Sequence, residues 1–235
     1  MFVNLAKKIA RKLGLNANNG NYSNDLKEKF SEVYDKNLFE GKKSRSGEGS
    51  DHIQTEIIRR EIPKLIKKYK IKTFLDAPCG DWYWMSQVDL GVDTYYGADI
   101  VETMIEKNTK DYGNSSTIFK CLNLTTDTLP AVDLIFSRDC LVHLSYEDAL
   151  NILKNFKKSG AKYLLTTTFT NRDKNTDMID ENGNSLFWRT LNMQLSPFNF
   201  PEPILLINEG CTEDNNNYAD KCLGLWNLSD LTLTE

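Results

Sequence analysis

The middle of the chain alternates between short apolar runs and segments with helical spacing of apolar residues. The runs are typical of buried strands and cover 71–77, 94–99, 117–122, 132–137 and 162–169. Helical segments lie between them, at 82–88, 101–112 and 145–158. Two late apolar runs predict an antiparallel edge, at 204–208 and 223–228. The alternation predicts an α/β fold, with a mostly parallel seven-stranded sheet covered on both faces. Ser145 followed by Asp148 predicts a capping box at the last helix.

Helical patterns also precede the sheet. Residues 25–40 and 52–69 have apolar residues at helical spacing, and Asp51 is the predicted N-cap of the second helix. The pattern at 1–15 predicts a short basic amphipathic helix, and the polar residues at 16–24 predict a linker between it and the rest. One interpretation packs helix 1–15 on the body of the protein or on a second copy in a homodimer. The other is weak attachment to an anionic membrane surface.

The composition is that of a folded protein. The chain has 235 residues, 40% hydrophobic and 11% aromatic, which excludes a disordered chain. The 29 Lys+Arg and 33 Asp+Glu give a net charge of −4, which disfavours nucleic acid as a partner. The five cysteines lack CxxC spacing and accompany two histidines. We therefore expect free thiols, a cytoplasmic location and no metal site. No apolar stretch has the length of a membrane span or signal peptide.

The turn after the first strand carries the candidate chemistry. It contains Asp76 and Gly80, and the second strand ends 19 residues later at Asp99. A glycine at a strand end lets a ligand approach the backbone, and an acidic side chain at this distance suits ribose hydroxyls. A dinucleotide site would need a G-x-G-x-x-G pattern, whereas this turn has one glycine. Asp76 and Asp81 suit a sulfonium and an ammonium, which favours S-adenosyl-L-methionine (SAM).

Over residues 44–228 the sequence resembles the class I SAM-dependent methyltransferases. LDAPCGD is similar to the family's glycine-rich first motif, with Pro78 and Trp82 in place of two glycines, and YYGADI matches the second. CLNLTTDTLP, VDLIFSRDCLVHLS and KYLLTTTF are similar to the adenine-binding segment, the strand end near the transferred methyl and the fifth strand. The resemblance implies a Rossmann-like methyltransferase domain at 44–235, preceded by a helical extension at 1–43.

A narrower resemblance suggests a class of substrate. SRSGEGSD, DAPCGD, RDCLVHLS and the late LN…PF…P pattern resemble a bacterial group associated with the modification of surface glycans and capsules. Fold alone does not fix function, so the expected link to surface glycans and capsules rests on this sequence resemblance alone.

The resemblance also implies which residues contact the cofactor. Asp99 would bind the ribose, and Asn123 would accept from the adenine amino group and donate to a ring nitrogen. Arg45 or Arg138 would hold the methionine carboxylate. The predicted cofactor-binding residues are Arg45, Asp76, Ala77, Gly80, Trp82, Trp84, Asp99, Ile100, Asn123, Leu124, Ser137 and Arg138.

His143 is the candidate general base, because an ordinary histidine titrates near neutrality and this one follows the fourth strand. Substrate hydrogen bonding and a structural role are the alternatives. Asp139 is the second catalytic candidate, as an orienting group for His143, as a base or as a partner of the SAM ammonium. Trp188, Arg189 and Asn192 are the predicted substrate-binding residues, with Trp188 stacking on a sugar and Arg189 holding an anion.

The resulting hypothesis is a SAM-dependent methyltransferase that releases S-adenosyl-L-homocysteine (SAH). The expected acceptor is a hydroxyl on a small sugar-type or anionic molecule, bearing phosphate, phosphoramidate or uronate and destined for a surface polysaccharide. N-methylation of a small amine is the alternative. From other classes, a nucleotide-dependent oxidoreductase and a non-catalytic adenosine-binding protein stay open.

Overall fold

The structure is a computed structural model that describes residues 26–179 and 186–233. The predicted helix 1–15 and its linker lie outside these residues. Five helices among these residues precede or connect the strands: α1 (Leu26–Asp35), α2 (Glu56–Tyr69), α3 (Glu102–Tyr112), α4 (Tyr146–Lys158) and the four-residue α5 (Glu213–Asn216). The strands are β1 (Thr73–Asp76), β2 (Thr94–Asp99), β3 (Thr117–Cys121), β4 (Leu134–Ser137), β5 (Tyr163–Phe169), β6 (Leu205–Asn208) and β7 (Lys221–Asn227).

The strands form one sheet in the order β3-β2-β1-β4-β5-β7-β6. The first five strands are parallel, and β7 pairs antiparallel with both β5 and β6. The predicted architecture of the sheet, including its antiparallel edge, is therefore confirmed. In this register Asp76 lies opposite Gly97 of β2 and Phe136 of β4, which brings the carboxyl ends of the three central strands together.

Two apolar clusters cover the faces of the sheet. On one face, α2 buries Ile58, Ile62, Leu65 and Ile66, whose spacing forms a single helical stripe. On the other face, α4 buries Ala149, Ile152, Leu153 and Phe156. This two-sided cover explains why the central strands have continuous apolar runs instead of alternating patterns. Within the described ranges, no helix is both long and apolar enough to cross a membrane.

Two local predictions were wrong. Segment 82–88 contains a three-residue 3₁₀ helix, Met85–Gln87, instead of an α-helix. Trp82 has a φ of +56°, a left-handed conformation that a helix start does not tolerate. Helix α2 begins at Glu56, and Asp51 is not its N-cap. Thr55 occupies that position and its hydroxyl donates to the Asp51 carbonyl at 2.9 Å.

The capping interaction at α4 is present in part. Ser145 Oγ accepts a hydrogen bond from Asp148 N at 3.0 Å, as the sequence predicts. The Asp148 carboxylate accepts from the Ser145 hydroxyl at 2.8 Å instead of reaching back to the Ser145 backbone. The start of α4 is thus fixed directly after the segment that contains His143.

Replacing Ser145 with Ala should lower the free energy of unfolding by about 1 kcal/mol, because Asp148 N loses its acceptor. For a chain of this size the melting temperature should fall by roughly 2–4 °C. Thermal unfolding measures the change, with Ser229→Ala at an exposed hydroxyl as the control. Equal melting temperatures for the two variants would contradict the assigned cap.

Candidate functional site

A cavity of about 180 Å³ lies at the carboxyl ends of β1, β2 and β4. In the sheet order β1 stands between β2 and β4, so the strand order reverses at this point although all three strands are parallel, and open α/β sheets bind ligands at such a point. Predicted site residues that line the cavity are Arg45, Asp76, Gly80, Trp82, Trp84, Asp99, Ile100, Asn123, Leu124, Arg138, Asp139 and His143.

The turn after β1 is held by a loop that precedes the sheet. Gly80 has a φ of +56°, which favours glycine, and a Cβ there would lie 2.4 Å from Ser46 Oγ and displace that hydroxyl. Asp81 accepts hydrogen bonds from Ser44 Oγ at 2.9 Å and from Arg45 N at 2.7 Å. The carboxylate of Asp81 therefore fastens the loop to the turn.

Asp99 is anchored where β2 ends. Its carboxylate accepts from Gly80 N and from Val101 N, both at 3.1 Å. Asn108 Nδ2 donates to the Gly80 carbonyl at 2.8 Å and fixes the other side of that peptide. Burial raises the pKa of Asp99 to about 6, and the backbone donors oppose the increase. At neutral pH an ionised carboxylate acceptor thus faces the cavity.

Asp76 is the most deeply buried carboxylate of the site, with 3% of its surface exposed. The hydroxyl of Tyr95 donates to Asp76 Oδ2 at 2.6 Å. Burial raises the pKa of Asp76 to about 8, and the neighbouring Asp99 adds to the increase. Tyr95 and Arg138 oppose it. A cation placed beside this carboxyl would favour its ionised form.

Asn123 uses its side chain differently from the prediction. Its Oδ1 accepts from Thr125 N at 3.0 Å and from Thr125 Oγ1 at 2.8 Å. Both lone pairs of this oxygen are engaged, so it is not placed to accept from an adenine amino group. The amide nitrogen is the part of Asn123 that suits recognition of a ring nitrogen.

Helix α1 covers the cavity, a feature that the sequence interpretation missed. Leu26, Phe30, Val33 and Tyr34 from this helix line it. Their helical spacing is visible in the sequence, but the face they cover is not. Arg45 Nη1 donates to the carbonyls of Tyr34 at 2.8 Å and Asp35 at 3.2 Å. Arg45 therefore caps the last turn of α1, where unpaired carbonyls attract a cation.

A cluster of buried charges lies where β4 ends. Arg138 donates through Nε and Nη2 to Glu209 Oε2, at 3.0 and 2.7 Å, and through Nη2 to the Gly49 carbonyl at 2.9 Å. Lys221 Nζ lies 2.6 Å from Asp139 Oδ2. Burial alone would raise the pKa of Asp139, but Lys221 and Arg138 outweigh it and hold that pKa well below its ordinary value. Asp139 is thus a poor general base.

His143 lies between the rings of Phe39 and Phe187, with centroids 5.1 and 5.5 Å away. Its Nδ1 is 2.9 Å from the Phe187 carbonyl. A carbonyl can only accept, so Nδ1 carries the proton and Nε2 keeps its lone pair. Burial lowers the pKa of His143 to about 4, against the opposing effects of the Phe187 carbonyl and Asp139. The imidazole is neutral at physiological pH.

A second, smaller cavity of about 50 Å³ adjoins the first. Phe39, Ser46, Asp139 and His143 line both cavities. The remaining walls of the second cavity include Phe169, Trp188, Glu213, Tyr218 and Lys221. Of the three predicted substrate-binding residues, the structure thus brings Trp188 to the site.

Arg189 and Asn192 lie elsewhere, and their placement differs from the prediction. Arg189 is 5% exposed and donates to the carbonyls of Leu141 at 2.8 Å and Thr176 at 2.9 Å. Asn192 Nδ2 donates to the Arg172 carbonyl at 3.2 Å. These side chains thus satisfy backbone carbonyls of the irregular segments that surround them.

Two other predicted cofactor residues lie beneath the cavity. Ala77 and Ser137 are both fully buried. The Ser137 carbonyl accepts from Thr166 Oγ1 at 2.8 Å, which ties β4 to β5. Their contribution is to the sheet that supports the site. Within the described ranges, no group of three His, Cys, Asp or Glu residues could hold a metal ion.

No protein-family model matches the sequence, and no curated protein matches it. Solved structures do match the fold. N-methyltransferase NodS from Bradyrhizobium japonicum WM9, in complex with SAH, is similar with a TM-score of 0.60 and 11% identity, over 86% of this chain and 98% of that chain. Burkholderia thailandensis 1,6-didemethyltoxoflavin-N1-methyltransferase, with bound 1,6-didemethyltoxoflavin and SAH, gives a TM-score of 0.56 and 14% identity, over 86% of each chain.

Human N-acetylserotonin methyltransferase in complex with SAM gives a TM-score of 0.58 and 11% identity, over 95% of this chain and 64% of that chain. The chain therefore spans less than two thirds of the human protein. At these identities the likeness establishes the fold. The chain has the Rossmann-like fold of class I SAM-dependent methyltransferases, as its sequence resemblance implies.

Replacing Asp76 with Asn should stabilise the ligand-free protein by an amount that grows between about pH 4 and pH 8. The folded-state pKa near 8 lies above that of an unfolded aspartate, so the wild-type protein loses stability as pH rises through this window. Asparagine keeps an acceptor for Tyr95 and removes the charge. Thermal unfolding at several pH values measures the difference between the two proteins.

Asp93→Asn is the control, because the Asp93 side chain is 66% exposed. A stability difference between Asp76→Asn and wild type that does not change with pH would contradict the assigned state of Asp76.

Proposed function

We propose that the protein is a SAM-dependent methyltransferase that acts on a small molecule and releases SAH. The observation that carries this proposal is the pairing of Asp99 with Gly80 N at the switch point of the sheet, beside the buried Asp76. A carboxylate there suits two ribose hydroxyls, and a second suits an ammonium. The bound SAM or SAH in structures of the same fold supports the assignment.

The donor set of the cavity fits this cofactor. Asp99 would hold the ribose, the Asn123 amide would donate to the adenine ring, and Ile100 and Leu124 would flank that ring. Asp76 would hold the methionine ammonium. Arg45 is the better candidate for the methionine carboxylate, because Arg138 is paired with the Glu209 carboxylate, whereas Arg45 donates through Nη1 to neutral carbonyls of α1.

Bound SAM would supply an electrophilic methyl on a sulfonium. The protein then has to align an acceptor with that methyl and exclude water, and alignment alone can supply roughly 7–11 kcal/mol of the barrier reduction. Helix α1 covers the cavity and would keep water out of it. The second cavity would hold the acceptor, with Nε2 of the neutral His143 accepting a hydrogen bond or proton from it.

We propose a hydroxyl acceptor on a small sugar-type or anionic molecule of bacterial surface polysaccharide or capsule biosynthesis. The sequence resemblance to the capsule-associated group supports this acceptor, and Trp188 in the second cavity suits a sugar face. Arg138, Arg189 and Lys221 are all engaged by internal partners, so an anionic substituent such as phosphate, phosphoramidate or uronate would depend on Arg45. A cytoplasmic location and a homodimer contact through 1–15 remain predictions.

N-methylation of a small amine is the second candidate. The second cavity places Glu48, Asp139 and Glu213 around one lysine, next to aromatic rings. This combination suits an ammonium group better than an anion. Amine methylation also needs little base catalysis. This agrees with the lowered pKa values of His143 and Asp139, which make both groups weak bases.

Titration with SAM and SAH should raise the melting temperature, whereas NAD and NADP should not. A ligand at 100 times its dissociation constant stabilises a protein by about 2.7 kcal/mol, or roughly 5–11 °C at this size. Asp99→Asn should weaken SAH binding about tenfold or more, because the carboxylate makes charge-assisted bonds to the ribose hydroxyls. Asp93→Asn should bind like wild type. A shift with NAD alone would contradict the proposed cofactor and favour a nucleotide-dependent oxidoreductase instead.

Acceptors can be screened with matched amine and hydroxyl sugars, each with and without a phosphate, by following SAH formation. With a hydroxyl acceptor, His143→Ala should lower kcat about 10²-fold or more, and with an amine acceptor less than tenfold. His52→Ala is the control, since His52 lines neither cavity.

Because the pKa of His143 is near 4, the wild-type rate should not fall between about pH 7 and pH 5 through this group. A fall centred near pH 6.5 that is present in the wild type and absent from His143→Ala would contradict that assignment.

A further inference from the structure

Two aromatic residues form a hydrogen-bonded chain that ends on Asp76. Trp82 Nε1 lies 2.7 Å from the Tyr95 hydroxyl, which lies 2.6 Å from Asp76 Oδ2. An indole N–H can only donate, so the phenol oxygen accepts from Trp82 and its single hydrogen points to Asp76. The direction of both bonds is therefore fixed.

The chain also accounts for the conformation of Trp82. Its φ of +56° is unusual for a bulky side chain, and such outliers concentrate at functional sites. The indole is held by its bond to Tyr95 and by the rings of Tyr112 and Phe119, at centroid distances of 4.8 and 5.3 Å. A glycine would adopt this backbone without strain but would supply no donor to Tyr95.

We propose that Tyr95, locked by Trp82, is a positioning residue that orients the Asp76 carboxylate for the amino group of the cofactor. This inference rests on the proposed function. Tyr95 occupies Oδ2 of Asp76, which directs the remaining oxygen of that carboxylate to the ligand. Tyr95 itself is 4% exposed and does not line the cavity, so it acts through Asp76.

The groups around Asp76 determine how its pKa should change when the Tyr95 hydroxyl is removed. Asp99 and burial favour the neutral carboxyl, whereas Arg138 and the Tyr95 hydroxyl favour the ionised form. The Cys79 thiol faces the same two carboxylates, and burial keeps it neutral. Without the Tyr95 hydroxyl the pKa of Asp76 should rise further, and less carboxylate would be available to a cation at neutral pH.

The test compares Tyr95→Phe with wild type by calorimetric titration with SAH and with 5′-methylthioadenosine, which lacks the amino-acid part. At about pH 7.5, Tyr95→Phe should weaken SAH binding roughly tenfold to hundredfold, the range for a hydrogen bond to a charged group. Binding of 5′-methylthioadenosine should stay within twofold of wild type. The rise of SAH affinity with pH should move to higher pH in the variant.

Two further variants separate positioning from a general structural role. Asp76→Asn should weaken SAH binding, and adding Tyr95→Phe to it should cause no further loss, because both act on one contact. Tyr96→Phe is the matched control, because it also removes one phenol hydroxyl. Tyr96 is the next residue of β2 and packs on the opposite face of the sheet from Tyr95. Trp82→Phe removes the indole donor and should cause a smaller loss with the same selectivity, which keeps the test available if Tyr95→Phe fails to fold.

The outcomes are distinct. Wild-type protein that binds neither SAH nor 5′-methylthioadenosine overturns the proposed function and this inference with it. Wild-type binding of SAH that Tyr95→Phe leaves unchanged overturns the inference alone. Equal losses for SAH and 5′-methylthioadenosine would mean that Tyr95 merely supports the fold, which also overturns it.

Discussion

Gly80 and Trp82 both hold a left-handed backbone in the turn after β1, and the candidate site is arranged around that turn. The turn presents Gly80 N to Asp99, fastens the 44–46 loop through Asp81 and points the Trp82 indole at Tyr95. The carboxylates of Asp76, Asp81 and Asp99 thereby acquire defined neighbours. A helix beginning directly after β1 would break each of these contacts, which is why the 3₁₀ helix starts at Met85.

The sheet could be predicted from the sequence because parallel strands buried on both faces have continuous apolar runs separated by helical periods. Asp76, Gly80 and Asp99 could be placed for a related reason, since the carboxyl ends of such strands meet at one edge. The role of Trp82 could not be predicted, because its backbone conformation depends on rings that lie elsewhere in the chain. The cover formed by α1 was missed because an apolar helix face does not identify its partner.

Two arginines that the sequence suggested as ligand contacts, Arg138 and Arg189, pair instead with groups inside the protein. An arginine at a strand end suits an anionic ligand and an internal carboxylate equally well, and the sequence does not distinguish them. Arg138 pairs with Glu209, 71 residues away, and Arg189 binds backbone carbonyls. With these cations engaged internally, the carboxylates dominate the walls of both cavities. A site of this charge favours cationic ligand groups, which agrees with a sulfonium and an ammonium.

The covering helix has a kinetic consequence. Polar contacts fasten α1 over the cavity: Lys29 donates to the His143 carbonyl at 3.2 Å, Arg45 binds the last turn, and Lys27 pairs with Glu102 at the surface. A molecule enclosed beneath a helix departs only as fast as the helix lifts, so tight enclosure and rapid exchange oppose each other. Contacts of this kind break more readily than an apolar core. Apolar packing of α1 opposes such opening, because Val33 is buried and Leu26 and Phe30 pack against the core.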